Sequence, residues 1–430
     1  MNGAAQKPVI GVFGAFDTGE LGEVALRRVI ERELRGRRPD IDLVAIAPFG
    51  AEHPIPGDEG RPARALHPGA DGASLGLDAL IIVGDVLGDD AHWARRYPVP
   101  VDVISRRDVS ATALTGQRNG RAMAPSVLWF AVGSAAGDLD AVDLHGRNVW
   151  ARNRAAEERL GGTAVQSGDP LLLAGRVFAP EVLRRRRDLL RLCGAVPAGS
   201  RLVIEIAPNP VSPDDPGELV SALAAALRSD PKLSAVVVTL DPTRQPSYSS
   251  AFSAPGLIAE RVHTLPAWVG LDDIAATISG SVAVVASSPA GAHLAAALGA
   301  PVAAVTPGLG DRFDPAIPVL TGDLTRAIAA LIASKQGVSI DAAVQTLDGA
   351  FAELAQRLPR AASEARAPLE PDAVTSALAI LQQRLVDERT ALQAELSRIQ
   401  AELEHLRATP EHRLARPLRE GYQRWQKRRT

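Results

Sequence analysis

Residues 282–305 read VAVVASSPAGAHLAAALGAPVAAV: an apolar run, two serines, a small-residue turn, a helical stretch, and a second apolar run opened by Pro301. That strand, turn, helix, strand rhythm is the mark of a parallel α/β sheet. Pro289 and Gly291 place a sharp turn between the first strand and the helix. In doubly wound folds such a turn lies at the carboxyl end of a strand, where its amides and the helix N-terminus favour an anionic group. A ligand is expected here.

The rhythm recurs along the chain. Val9 to Phe13 is a β-prone run, Gly14 to Gly22 (GAFDTGELG) a turn, and Glu23 to Leu34 carries helical periodicity through Val24, Leu26, Ile30 and Leu34. The turn lacks both GxGxxG and a Gly-Lys-Ser/Thr phosphate loop, and its acids Asp17, Glu20 and Glu23 would repel a phosphate unless a cation intervened. It reads equally as a ligand-contacting loop or as a tight turn with solvated acids. Asp42 to Ala47 predicts a second strand, and Asp78 to Gly84 a buried one running into Asp85 and then Gly88-Asp89-Asp90. Carboxylates at that position suit an α/β active site, and they also suit a turn. Val101 to Ser105 is a further strand, followed by Arg106-Arg107-Asp108, and Asn148 to Ala151 a shorter one. Arg152 then stands just before a helix, where it could clamp a carboxylate or phosphate, or pair with Glu157 or Glu158. After the run Arg184 to Arg187, which reads as a solvated helix face over the crossing between domains, the pattern restarts. Leu202 to Ile206 and Ala235 to Leu240 predict strands, with helices at Pro216 to Leu227 and Leu271 to Ile278.

The expected fold class is α/β, two Rossmann-like domains in a GT-B-like layout, followed by a C-terminal helical and coiled-coil extension. The boundaries read as 1–178 (acceptor domain), 179–330 (donor domain), 331–371 (helical connection) and 372–430. In the last segment Leu378, Leu385, Leu392, Ile399 and Leu406 fall seven apart, with Leu396 and Leu403 at the intervening core position and Gln382 and Arg389 interrupting it earlier. A short coiled coil, offering a route to a homo-oligomer, or one long helix against the body fits this spacing. In the tail, Leu414, Leu418, Tyr422 and Trp425 share a helical face opposite Arg413, Arg416, Arg419, Arg424 and Lys427. That pattern suits a helix lying on an anionic membrane surface, or a solvated basic helix.

Composition narrows the function classes. A formal net charge of -3 over 430 residues gives no global basic field, so nucleic acid is not expected as a partner. The single Cys193 excludes an internal disulfide and suits a reducing cytosol. The opening MNGAAQKPVIGVFGAF lacks the elements of a signal peptide, and no run approaches the ~18 apolar residues that cross a bilayer. The expectation is a cytoplasmic protein, peripheral at the inner face of the membrane if the tail binds there. Eight scattered histidines give no metal-ligand spacing, so no metal is expected.

In order along residues 9–307, several segments resemble the polysaccharide pyruvyl transferases. Ile10 to Leu26 is similar to that family's opening strand and Asn-x-Gly-Asp loop, with Glu20 and Glu23 replacing the Asn and the Asp. DALIIVGDVLGDD resembles its strand into Gly-Gly-Gly, keeping Gly84. Arg152 to Leu160 resembles its Arg-Asp-x-x-Ser helix start, with Asn153 and Ala156 departing, and Ser167 to Leu173 matches its Asp-Pro strand through Asp169 and Pro170. Ser287 to Pro301 resembles its Ser-(Arg or Ser)-Leu-His-Gly turn, with Ser287, Gly291, Gly299 and Pro301 in register. The family's catalytic histidine falls on Ala290, and a methyl group cannot transfer a proton. The same helix, AGAHLAAALGAP, also resembles the nucleotide-sugar domain of heptosyltransferase-like GT-B enzymes, a likeness that sets His293 and the amides around Gly291 against a diphosphate.

The pyruvyl transferase resemblance implies transfer of pyruvate from phosphoenolpyruvate, as donor substrate and with no cofactor, to a sugar of a cell-envelope or exported polysaccharide. Arg152, the Ser287, Ser288 and Gly291 turn, and Arg312 would hold the trianion. His293 stands as the candidate acid or base, or as a satisfied core histidine, and Asp17, Glu20, Glu23 and Asp85 would face the saccharide acceptor. The alternatives are a GT-B glycosyltransferase using a nucleotide sugar, and a non-catalytic scaffold of a polysaccharide assembly complex.

Overall fold

The computed structural model describes residues 6–48, 63–65, 76–87, 117–118, 121–122, 126–134, 149–160, 164–206, 216–240, 252, 259–266, 269–305 and 312–360. The acids at 88–90, the strand expected at 101–105, and the coiled coil and basic tail expected over 372–430 lie outside the described residues.

Strand β1 (Val9–Phe13) is buried at every position, as a parallel strand covered on both faces must be. The loop after it enters helix α1 (Leu21–Arg37), which buries Leu21, Val24, Leu26, Ile30 and Leu34 and carries Glu23 in its first turn and Arg35 and Arg37 in its last. Those charges match the sign of the helix dipole at each end. The half continues through β2 (Asp42–Ala47), β3 (Arg64–Ala65), β4 (Ala79–Leu87), a two-stranded ribbon of β5 (Gln117–Arg118) and β6 (Arg121–Ala122), β7 (Val127–Ser134), β8 (Val149–Ala151), helix α2 (Arg154–Arg159) and β9 (Val165–Gln166). Its main sheet runs β3-β2-β1-β4-β7-β8-β9, all parallel.

A short 3-10 helix (Pro170–Arg176) and helix α3 (Pro180–Leu192) lead to the second sheet. It is built from β10 (Ser200–Glu205), α4 (Pro216–Ser229), β11 (Leu233–Val238), β12 (Val262–Thr264), α5 (Leu271–Ser279), β13 (Ala283–Ala286), α6 (Pro289–Ala297) and β14 (Val302–Ala304). Its order is β12-β11-β10-β13-β14, again parallel. The chain is therefore α/β with two Rossmann-like halves, the GT-B arrangement. Each sheet reverses its winding once, between β1 and β4 and between β10 and β13, and such switch points open crevices at the carboxyl ends of the strands.

Helix α7 (Leu324–Ser334) packs on α4, and α8 (Asp341–Arg357) returns to the first half. There Phe351 stacks 4.6 Å from Phe130, which lies 5.8 Å from Trp150. Around this seam Arg176 forks onto both carboxylate oxygens of Asp348 at 2.8 Å, and Arg37 bridges Glu33 and Asp348. One apolar cluster runs through both halves, from Ile10 and Leu26 through Leu171 and Ile274 to Leu294 and Phe351. A second cluster fills the outer face of the second sheet.

Candidate functional site

The two switch points meet. Ala290, in the first turn of α6, comes so close to Gly22, in the first turn of α1, that a Cβ built on Gly22 would lie 3.0 Å from the Ala290 methyl. The Leu21 amide donates to the Leu240 carbonyl at 2.6 Å, and Arg28 of α1 pairs with Asp272 of α5 at 2.9 Å. The amino ends of two helices, one from each half, thus converge on a single seam.

The centre of the second half's contribution is Glu205, the last residue of β10, which is 1% exposed. Its Oε2 accepts the amides of Ser287 and Ser288, both at 3.0 Å, and its Oε1 accepts the Ser288 hydroxyl at 2.9 Å. The same hydroxyl caps α6 by accepting the Gly291 amide at 2.9 Å. A Cβ on Gly291 would come within 2.5 Å of the Glu205 carboxyl, so only glycine leaves the acid its place. Burial pushes the Glu205 carboxyl up to about 7, against the pull of the Ser288 hydroxyl and the two amides. The turn that the sequence offers to an external anion therefore holds an internal carboxyl.

His293 is 1% exposed and fully engaged. Its Nδ1 lies 2.9 Å from Asp169 Oδ2, and its Nε2 accepts the Asp314 amide at 3.0 Å. An acceptor at Nε2 places the ring proton on Nδ1, donated to Asp169. The imidazole so ties α6 to the entry of the 3-10 helix and to the segment after Arg312, which is itself half-buried. Asp169, also buried, caps that 3-10 helix through the Leu171 amide. Burial alone would raise its pKa, but Arg152, His293 and the Leu171 amide outweigh it and hold the carboxyl well below the usual range.

The first half supplies the rest. Arg152 lies 3.3 Å from Asp85 and 3.5 Å from Asp169. Asp85 follows a bulge where the β4–β7 register shifts, and its carboxylate lies over Gly133, where any Cβ would collide with it. Gly84 takes a left-handed φ of 82°, and the buried Glu23 carboxylate reaches the face where its side chain would be. Asp17 and Glu20 stand half-buried in the loop before α1.

Of the residues singled out in the sequence, the structure joins Arg152 and Asp85, and links both through Asp169 to His293. Ser287, Ser288 and Gly291 gather round Glu205. Glu23 approaches Gly84, which places it beside Asp85. Glu205, Asp169 as the bridge, and the Asp314 amide are not among the site residues that sequence reasoning proposes. Glu205 does leave a trace, as a lone acid inside the apolar run LVIEIA. Among the described residues no group of His, Cys, Asp and Glu is arranged to hold a metal, and no helix is long and apolar enough to cross a membrane.

No protein family's profile matches the chain, and no curated protein matches it in sequence. Distant likeness to solved structures exists. The UDP-GlcNAc 2-epimerase of Neisseria meningitidis bound to UDP-GlcNAc is 14% identical, with a TM-score of 0.44 over 86% of this chain and 99% of that one. E. coli ADP-heptose LPS heptosyltransferase II is 13% identical, with a TM-score of 0.39 over 76% of this chain and 99% of that one. A glycosyltransferase of Rickettsia africae is 12% identical, with a TM-score of 0.46 over 82% of this chain and 96% of that one. Likeness at this level has no bearing on what the chain binds, and the fold class stands on the two parallel sheets themselves.

Proposed function

We propose that this chain is a GT-B-type sugar-transferring protein that takes a nucleotide-activated sugar, rather than phosphoenolpyruvate, at the seam between its sheets. The observation behind this choice is Glu205. A compact trianion at the α6 turn would have to displace a buried carboxyl from two amides and a hydroxyl, and would then face Glu23, Asp85 and Asp169 with Arg152 already shared between the last two. Carboxylates in that number suit sugar hydroxyls, which donate to them in charge-assisted hydrogen bonds. A nucleotide sugar spreads its charge along a longer ligand, and the AGAHLAAALGAP likeness to heptosyltransferase-like enzymes runs through the same helix. In this reading the base at the acceptor hydroxyl is Asp17 or Glu20, because both nitrogens of His293 are in use.

A second reading, a non-catalytic scaffold, draws on the tight Gly22–Ala290 approach and the Leu21–Leu240 hydrogen bond, which close the seam. Thermal shift and calorimetry with UDP-GlcNAc, ADP-heptose and phosphoenolpyruvate separate the readings. A ligand at a hundred times its Kd adds about 2.7 kcal/mol of stability. Stabilisation by a nucleotide sugar and not by phosphoenolpyruvate is the expected result. The reverse restores pyruvyl transfer, and no response to either class leaves the scaffold.

A further inference from the structure

Arg201 is the second residue of β10, the central strand, at the amino end of the second sheet, and its side chain is completely buried. A buried guanidinium is costly unless an anion or a full set of acceptors meets it. Its Nη1 donates to the Pro197 carbonyl at 3.4 Å and its Nη2 to the Gly280 carbonyl at 2.8 Å, while Nε is buried with no acceptor. Arg187 of α3 approaches the same place. A Cβ built on Gly280 would lie 2.4 Å from Arg187 Nη1 and 2.7 Å from Arg201 Nη2, so both cationic nitrogens crowd one point, and Arg187 Nε too is buried without an acceptor. Burial, then the like charges of Arg191 and Arg187, bring the Arg201 pKa down to about 10.

The neighbouring acids serve other cations. Asp272 and Asp273 pair with Arg186, Asp272 also with Arg28, and Asp188 lies 3.5 Å from Arg191. No carboxylate among the described residues pairs with Arg187 or Arg201. The carbonyl end of α5 offers partial negative charge and takes one Arg201 donor, but it bears no net charge. The run Arg184 to Arg187 is thus divided: Arg184 and Arg185 are solvated, Arg186 pairs with α5, and Arg187 turns inward.

We propose that Arg187 and Arg201 form a second site, apart from the sugar seam, that takes a phosphate group. Tetrahedral oxygens carrying close to two charges match the guanidinium fork of Arg187, and the enclosed charge of Arg201 behind it adds to the attraction. Arg187 is half-buried, so the group enters from the α3 side. The phosphate belongs either to a free small anion or to a lipid headgroup.

Inorganic phosphate titrated into the full chain at constant ionic strength, read by thermal shift and 31P line width, is expected to give a saturable response that chloride does not. Arg187→Ala and Gly280→Ala should each weaken it about tenfold or more, as loss of a charge-assisted contact does. Arg184→Ala, on the solvated side of the same helix, should keep it, and Arg187→Ala should keep any nucleotide-sugar response of the seam. Cosedimentation with phosphatidylcholine vesicles containing phosphatidic acid, competed by free phosphate, would assign the lipid source, and its absence the soluble one. Should Arg187→Ala fail to fold, phenylglyoxal labelling of the wild type reads the same question through protection of Arg187 by phosphate. No saturable phosphate response, an equal response in Arg187→Ala and Arg184→Ala, or no protection would overturn the site.

Discussion

Glu205 is a carboxyl that the fold would rather keep protonated, and this makes it a sensor of pH in the folded chain. Its pKa rises from 4.5 to about 7 on folding, so the folded state holds the proton more tightly than the unfolded one. Its contribution to stability is full below pH 4.5 and is lost as pH rises through about 7, a swing of roughly 3 kcal/mol. Glu205→Gln keeps an acceptor for the two amides and removes the charge. Urea unfolding at pH 5 and pH 8 should therefore show a smaller loss in Glu205→Gln than in the wild type; an equal loss would assign the pH dependence elsewhere. Gly291→Ala tests the same contact from the opposite side. Its methyl would press on a buried carboxyl with no room to retreat, at a cost of about 1–3 kcal/mol. In a double-mutant cycle that cost should shrink when Glu205 is shortened to alanine. The lone acid is visible in the sequence, but its partners are not, because Ser287 and Ser288 follow 82 and 83 residues later.

At the scale of elements, β1, β2, β4 and β10 lie where apolar runs announce them, since a strand buried on both faces leaves an uninterrupted signal. Strand β7 shows the limit. VLWFAVGS is as apolar as its neighbours and lies beside β4, yet no strand is expected from sequence between residues 108 and 148. The bulge that re-aims Asp85 arises only from pairing β4 with β7, so no single segment could reveal it. The aromatic lock on α8 is equally long-range. Phe351 is fully buried between the Phe130 ring and the Arg37 guanidinium, which lies 5.4 Å from its centre. Phe351→Ala should cost about 3–5 kcal/mol, read as a lowered urea midpoint. Asp348→Asn, on the partly exposed rim of the same helix, should cost no more than about 1 kcal/mol.

For the molecule as a whole, one apolar cluster joins the halves, and the buried hydrogen bond between His293 and Asp169 cross-links them. Unfolding by urea should therefore be a single transition by both circular dichroism and tryptophan fluorescence. A chain ending at residue 335 would uncover Phe130 and Leu171 and should lose that cooperativity; two separate transitions in the full chain would show that the halves stand alone. The return of α8 also sets an order of events during synthesis. The first sheet is complete by residue 166, but the aromatic lid over Phe130 arrives only with Phe351, nearly two hundred codons later. At 5–20 residues per second the nascent amino half waits roughly ten to forty seconds with an oily face uncovered. Translation speed over the second half thereby sets how long that face waits for its cover.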